Sequence, residues 1–357
     1  MKNVFLETHN IKNLYFGFGQ FNFHLIKGLY NSQVEDFRIT LHAKDIESLK
    51  NEYGDYFNYK KYFSLRRNKQ FSIRKKYDLW HSLNQNITIE PYSDIPYLLT
   101  IHDVNFIDEV SDDMNHKRNV RFKEKLNRCN SIVYISNYAK ISTHKYFDIP
   151  KVPEYVIYNG NPVTEVSIAD NHQPKIVSKA PFLFSIGEFS ERKNFHTLVE
   201  MLHFLPNINL IISGKNTTDY ADKIKNLIKK YKFEKRVFLT GKISEIDKHY
   251  YMQNSLAFVF PSLREGFGIP PIEAMRFGKP VFSSNKTSLP EVCGGQAFYW
   301  DNFDAEYMAN VFTEGLDSFL KDEKTMSQKS IEVAKSYNWD DTAKKYIEVY
   351  KSILKKT

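Results

Sequence analysis

Phe260-Pro-Ser-Leu-Arg-Glu265-Gly-Phe-Gly-Ile-Pro-Pro-Ile-Glu273-Ala-Met-Arg-Phe-Gly278 contains a strand end, a glycine-bearing turn and a helix in one stretch. The apolar run Ala257–Phe260 feeds the turn, the two prolines suit the first turn of a helix, and Gly278 suits its stop. The amides of Gly266, Phe267, Gly268 and Ile269 would then stand near a helix N-terminus, where unsatisfied N–H groups and the dipole favour a phosphate or a sugar oxygen. Glu265 lies before the turn and Glu273 is expected in the first helical turn, so one carboxylate can accept from a sugar and the other from a ribose of the same ligand. A blander alternative stays open by spacing alone: Glu273 merely complements the helix dipole and Glu265 is a solvated loop residue.

On either side of this stretch, short β-rich runs alternate with segments of helical period. Strands are expected at Phe182–Ile186, Ile208–Ser213, Val237–Thr240, Ala257–Phe260 and Pro280–Ser283, and helices at Asn194–Leu205, Asp219–Lys232, Glu245–Met252 and Pro271–Phe277. Leu198, Met201, Leu202 and Leu205 share one helical face that must pack on the sheet. The same alternation occurs earlier, with strands at Asn3–Leu6, Leu79–Ser82, Tyr97–Ile101 and Ser131–Ile135 and helices around Gln20–Tyr30, Met114–Cys129 and Ala139–Tyr146. Between the halves lies a polar, linker-like stretch with Asn159-Gly-Asn-Pro162 and His172-Gln-Pro174. The expected class is α/β, as two doubly wound domains with any ligand beyond the carboxyl ends of their strands.

The chain has 357 residues, enough for two domains that each bury a core, and its 42% hydrophobic and 26% charged residues belong to a globular protein rather than a disordered one. The first residues are too polar for a signal-peptide core and no apolar run is long enough to span a bilayer, so a cytoplasmic location is expected. Cys129 and Cys293 have no CxxC neighbour and fall in different halves, which argues against a disulfide framework or a thiolate metal site. The net charge of +8 permits an anionic partner without choosing one. Lys60 to Lys76 concentrates it, with eight cations, no acid and interleaved Tyr62, Phe63, Phe71 and Ile73. That pattern fits an anionic membrane surface or polyanion site, and equally a solvated loop. No nucleic-acid module is present, and no nucleic-acid partner is expected.

Glu265-x7-Glu273 within Glu-Gly-Phe-Gly-Ile-Pro-Pro-Ile-Glu-Ala-Met resembles the signature of retaining GT-B glycosyltransferases of family 4, and the resemblance covers nearly the whole chain. Five further segments match: Ile186–Asn194, Thr100-Ile-His-Asp103, Tyr158-Asn-Gly160, Ser288-Leu-Pro-Glu291, and Asn338-Trp339 before a terminal helix. The resemblance implies two Rossmann-like domains facing a cleft: an acceptor domain over 1–165, a linker over 166–179, a nucleotide-sugar domain over 180–337, and a helix over 338–357 that returns to the first domain. It implies sugar transfer from a nucleotide diphosphate sugar, GDP-mannose-like or a UDP-sugar, to a glycan or lipid-linked saccharide in cell-surface polysaccharide synthesis, at the inner face of the membrane.

In that scheme Arg192 and Lys193 hold the diphosphate, Glu265 orients the sugar, and Glu273 binds the ribose. Gly17, Gly19 and Gly214 lie near the donor, and Gly241, Lys242 and Ile243 form the base-reading turn, which is otherwise an ordinary βα turn whose helix Ser244 can cap. His102 stands beside the transferred sugar, although a histidine at a strand end is often structural. Gly17-Phe-Gly19 lacks the third glycine of a dinucleotide fingerprint, because Asn22 follows. One departure is Glu188, where many relatives carry Arg after the glycine. No Asp-x-Asp occurs, so neither a metal nor another cofactor is expected. A GT-B epimerase, a sugar phosphorylase and a non-catalytic nucleotide-sugar-binding subunit are the alternatives.

Overall fold

The computed structural model describes residues 1–14, 17–166 and 172–356. Residues 167–171, within the expected linker, lie outside the described residues. The chain divides into two compact units: Met1–Gly160 with the C-terminal stretch from Tyr337, and Asn161–Ser336.

Unit 1 is built on a seven-stranded parallel sheet of β1 (Lys2–Leu6), β2 (Phe37–Ala43), β3 (Asn58–Lys61), β4 (Leu79–Ser82), β5 (Tyr97–Ile101), β6 (Ser131–Tyr134) and β7 (Glu154–Val156). The strand order is β3-β2-β1-β4-β5-β6-β7, so it reverses between β1 and β4. The helices are α1 (Gly17–Asn31), α2 (Ile46–Tyr53), α3 (Phe106–Glu109), α4 (Lys117–Arg128), α5 (Asn137–Tyr146) and the terminal α13 (Trp339–Leu354). Three strands escape the apolar-run reading, among them the three-residue edge strand Glu154–Val156. Phe37–Ala43 carries Arg38, Thr40 and His42 among its apolar residues, and Asn58–Lys61 is an edge strand, where polar residues are normal.

Asn338 caps α13 by accepting the Asp340 and Asp341 amides, and Trp339 then stacks on His24 at 5.4 Å. A Cβ on Gly160 would collide with the Trp339 backbone and indole, so glycine lets the two chain segments cross. Thr342 Oγ1 donates to the Tyr158 carbonyl at 2.8 Å. Tyr346 and Tyr350 reach a buried network: Tyr350 Oη lies 2.8 Å from His81 Nδ1, His81 Nε2 lies 2.8 Å from Thr100 Oγ1, and Thr100 Oγ1 lies 3.1 Å from Tyr346 Oη.

Unit 2 repeats the topology with β8 (Phe182–Ile186), β9 (Asn209–Ser213), β10 (Val237–Gly241), β11 (Ala257–Phe260), β12 (Val281–Ser284) and β13 (Phe298–Trp300), in the order β10-β9-β8-β11-β12-β13. All pairs are parallel, and the order reverses between β8 and β11. Its helices are α6 (Phe195–Met201), α7 (Asp219–Lys230), α8 (Glu245–Asn254), α9 (Ile269–Met275), α10 (Leu289–Val292), α11 (Ala305–Lys321) and α12 (Glu323–Ser336). Leu198, Met201, Leu202 and Leu205 all enter the core beside Leu183, Leu210 and Ile212. Helix α6 nevertheless stops at Met201, and Leu205 reaches that core from the following turn. On the other flank Phe298 stacks on Phe282 at 4.9 Å, and Gly315 of α11 sits where any Cβ would strike both rings. Burial of these apolar surfaces is the main stabilising term in both units.

Candidate functional site

In unit 2 the two loops at the reversal, after β8 and after β11, are tied together. Leu263 N donates to the Arg192 carbonyl at 2.7 Å and Ser262 Oγ to the same oxygen at 3.3 Å. The β8 loop closes in a short 3-10 turn, Glu191–Lys193, ended by Asn194 at φ 58°, a left-handed conformation that asparagine tolerates. This turn aims Arg192 and Lys193 at the β11 loop. Lys193 Nζ lies 2.5 Å from Glu265 Oε1, Arg192 Nη1 lies 3.3 Å from it, and Ser262 Oγ donates to it at 2.6 Å. Lys193 Nζ also stands 4.6 Å from the centre of the Phe260 ring. Against burial, which pushes the other way, Lys193 and Arg192 hold the Glu265 carboxyl below the ordinary range. Burial in turn pulls Lys193 down, with Glu265 opposing. Arg192 and Lys193 bracket Glu265 in a largely desolvated place, with Glu188 a further acid acting on Lys193, and preorganised cations of this kind suit an anion.

Downstream, the Glu265 carbonyl accepts from Ser288 Oγ at 3.0 Å and the Glu265 amide donates to Thr287 Oγ1 at 3.1 Å, so the start of α10 shapes the turn. Gly268 has φ 101°, a left-handed conformation that favours glycine, and a Cβ there would also come within 2.6 Å of Leu289 Cδ2. Helix α9 begins at Ile269, which corrects the expected placement of Glu273: it lies in the second turn, and no acid occupies the first. The prolines start the helix earlier than Pro271 because both fit before the first internal hydrogen bond. Glu273 is buried, with Lys248 Nζ 2.7 Å from Oε1, and Lys248 is shared with Glu245 at 2.6 Å. Burial raises the Glu273 carboxyl, while Lys248 opposes the rise. The two glutamates therefore have separate cationic partners.

Gly187, Gly214 and Gly241 follow one another across the ends of β8, β9 and β10. Gly214 N donates to the Gly241 carbonyl at 2.8 Å and Gly187 N to the Ser213 carbonyl at 3.0 Å. Gly214 (φ 141°) presses so closely on the Gly187 carbonyl that a side chain has no room. Lys242 and Ile243 follow β10, and Ser244 caps α8 in a reciprocal capping box with Asp247. Glu188 is partly exposed on the β8 loop.

The remaining candidates belong to unit 1. Gly17 opens α1, and a Cβ at Gly17 would meet nothing, whereas Gly19 is buried against the Asn13 and Asn10 carbonyls and is a packing glycine. His102, just past β5, is buried between Phe18 and Phe21, with ring centroids at 4.9 and 4.6 Å. Its Nε2–H donates to the Leu83 carbonyl at 2.9 Å and its amide to Gln85 Oε1 at 3.1 Å. Burial pulls its pKa down to about 4, so near neutrality the ring is uncharged and its Nδ1 is an acceptor.

A family model described as glycosyl transferases group 1 matches residues 167–349, half of the chain. The chain belongs to the glycosyl transferases group 1 family. It is 29% identical over 181 residues to the serotype-specific mannosyltransferase WbdA of Escherichia coli, covering 48% of this chain but only 22% of that protein. It is 23% identical to the O-antigen chain mannosyltransferase B of Escherichia coli, over 98% of this chain and all of that one. The Anabaena HepE structure in complex with UDP-glucose superposes with a TM-score of 0.74, at 17% identity over 99% of this chain and 100% of that chain. With two Rossmann-like parallel-sheet units, the fold of this group 1 chain is GT-B.

Two contacts of the candidate site were missed by sequence reasoning: Ser262 on Glu265 and Lys248 on Glu273. Both are contacts between separate elements, and Gly187, already within the Ile186–Asn194 segment, proves to lie under Gly214. The basic run of this chain is also not one solvated loop. Lys60 and Lys61 lie in β3, and Tyr62 and Ile73 are buried anchors, so neither faces a partner. Phe63, Leu65, Phe71 and Tyr92 are exposed, with the Arg66 guanidinium 4.2 Å from the Phe63 ring and that of Arg74 5.5 Å from Tyr92. Among the described residues no helix is long and apolar enough to cross a membrane. Cys129 and Cys293 are buried free thiols whose ionisation burial disfavours.

Proposed function

We propose that the protein is a retaining glycosyltransferase that moves a sugar from a nucleotide diphosphate sugar to a glycan or lipid-linked saccharide in cell-surface polysaccharide synthesis. The observation that carries this reading is the convergence of Arg192, Lys193 and Ser262 on Glu265 where the strand order of unit 2 reverses. An anion placed there meets preorganised cations and the turn 266–269. These stabilise a leaving diphosphate as its charge develops. Glu265 accepts from the transferred sugar and Glu273 from the ribose. The acceptor hydroxyl attacks on the face that the diphosphate leaves, and the leaving phosphate takes the proton.

With Arg192 and Lys193 in this role the transfer needs no metal. His102, neutral and fixed through Nε2, accepts from a sugar hydroxyl. The mannosyltransferase names of the relatives and the UDP-glucose held by HepE make GDP-mannose and UDP-sugars the first donors to try. The reading includes a cytoplasmic position peripheral to the membrane, and Lys60–Lys76 with exposed Phe63, Leu65 and Phe71 supports it.

A panel of UDP-, GDP- and dTDP-sugars tests the reading by thermal shift and slow donor hydrolysis, with and without EDTA. Hydrolysis of one donor class that persists in chelator is expected. Tight donor binding without any turnover would make the chain a non-catalytic binding subunit, and loss of turnover in EDTA, restored by Mg²⁺ or Mn²⁺, would end the metal-free scheme. Replacing Arg66, Arg67, Arg74 and Lys75 by Ser should release the protein from phosphatidylglycerol vesicles without changing nucleotide affinity.

A further inference from the structure

Helix α8 opens on the reciprocal capping box of Ser244 and Asp247, and His172 Nε2 adds a contact to Asp247 Oδ1 at 2.8 Å. A helix start fixed in this way also fixes Lys248, which is buried and carries its ammonium between carboxylates of two elements. Glu245 Oε2, on the same helix and largely exposed, lies 2.6 Å from Nζ, and Glu273 Oε1, on α9 and buried, lies 2.7 Å from it. Lys248 thus takes one of the two Glu273 oxygens. Among the described residues Oε2 accepts no hydrogen bond, and the Glu273 side chain keeps 6% of its surface open. A carboxylate oxygen so placed costs free energy until a donor meets it.

Burial raises the Glu273 carboxyl, Lys248 opposes the rise, and Glu245 adds to it. Burial would lower Lys248, yet Glu273 and Glu245 outweigh it and hold the ammonium above its ordinary value. Other ionisable groups nearby are engaged elsewhere: Arg276 of α9 donates to the Val163 and Thr164 carbonyls, His249 of α8 packs on the Phe277 ring, and Asp247 binds Ser244 and His172. Strands β11 and β12 and helix α12 also pack on α9, and among the described residues none of them adds a charge that acts on Glu273. The state of this carboxyl is therefore a contest within α8, in which Lys248 favours the ionised form and Glu245 disfavours it.

We propose that Lys248 is a positioning residue for the donor nucleotide: it pins Glu273 through Oε1 and leaves Oε2 to accept from a ribose hydroxyl, while Glu245 competes for the same ammonium. The proposal rests on the reading that Glu273 meets the ribose, and it adds the group that keeps this carboxylate ionised and aimed.

Calorimetry on the full chain with UDP, GDP, ADP and CDP identifies the tightest of the four, and its 2′-deoxy and 3′-deoxy forms are then compared with it between pH 4.5 and 8.5. The ratio of ribo to deoxy affinity is the quantity read, because the terminal phosphate titrates alike in every form. At pH 8 the wild type should prefer the ribo form over at least one deoxy form by about tenfold, the worth of one hydrogen bond to a charged acceptor. An ionised carboxylate accepts and a protonated one does so poorly, so this preference should fade as the pH drops through the raised Glu273 value. Lys248→Met keeps the stem without the charge. It should cut the ratio at pH 8 to about twofold or less, through loss of ribo affinity alone, and Lys248→Arg should restore most of it. Glu245→Gln changes an exposed group and should shift the fading to lower pH, by removing a like charge and freeing Lys248 for Glu273. Equal weakening of ribo and deoxy forms in Lys248→Met is the mark of a merely structural lysine and overturns the proposal. So does a full preference in Lys248→Met, or a fading in Glu245→Gln that stays in place or moves to higher pH. If Lys248→Met does not fold, the Glu245→Gln shift decides. A wild type that binds ribo and deoxy forms equally, or none of the four nucleotides, overturns the ribose reading of Glu273 itself, and the role of Lys248 with it.

Discussion

The two units wind parallel sheets in the same order, yet the residues at their strand ends differ. Unit 2 gathers charges: Arg192 and Lys193 on Glu265, and Lys248 on Glu273. Unit 1 keeps His81 and His102 neutral by burial and uses carbonyls and hydroxyls as their partners. A place for a diphosphate must keep cations desolvated, and that requires a counter-carboxylate. A neutral ring of fixed tautomer, as at His102, offers a sugar hydroxyl one acceptor in a set place. On the proposed reading one topology would serve two tasks, with the task set by the side chains at the strand ends.

Acid should separate the units most. Burial holds His81 at about 3 and His102 at about 4, both below the ordinary 6.5. A folded value below the unfolded one contributes stability that is present above pH 6.5 and lost as the pH falls toward the folded value. At about 1.36 kcal/mol per unit, this amounts to about 3 kcal/mol for His102 and about 5 for His81. Glu265 is held below the ordinary 4.5, so its contribution persists until the pH falls below that value. The half-buried His196 adds a smaller acid sensitivity to unit 2. Between pH 6.5 and 4.5, exchange protection corrected for intrinsic rates should fall in β4, β5 and α13 before it falls in β8 and β11. Equal loss in both units would erase the contrast.

The next largest effect is on turnover. Lys193→Met removes a buried cation and should lower kcat with a nucleotide sugar by about 10²–10³, the usual scale for one group that stabilises developing charge. His102→Gln removes one neutral acceptor, worth about 1 kcal/mol, and should lower kcat by roughly fivefold. Steady-state kinetics on both variants compare the units directly, and a reversed ratio would make unit 1 the electrostatic half.

Within unit 2 the contrast sharpens between the glutamates. Glu273→Gln should weaken the free nucleoside diphosphate by about 1–3 kcal/mol, and Lys248→Met should share that profile because Lys248 is its partner. Glu265→Gln relieves Arg192 and Lys193 of their counter-charge. It should leave diphosphate affinity unchanged or tighter while kcat falls. Calorimetry and kinetics on the three variants decide, and identical profiles would dissolve the distinction.

The smallest effect concerns packing alone. Gly160→Ala would place a Cβ 2.5 Å from Trp339 Cγ, an overpacking worth about 1–3 kcal/mol. Its melting temperature should drop, and its nucleoside diphosphate affinity, a property assigned to unit 2, should not change.

What the sequence by itself determined is what lies along the chain. The apolar runs marked most strands, the prolines and Gly278 bracketed α9, and Ser244 announced its helix start, because period, caps and turn chemistry act within a few residues. The Glu265-x7-Glu273 stretch and its companions likewise pointed to two doubly wound domains. Even locally, Glu273 fell a turn later than expected, since two adjacent prolines left the helix start ambiguous. Only the tertiary structure decided which charges meet. Lys193 and Glu265 are 72 positions apart, and Lys248 and Glu273 are 25 apart. No periodicity links such residues. They become neighbours because parallel strands bring their carboxyl ends to one edge of the sheet, and burial there turns a distant pair of side chains into a strong interaction.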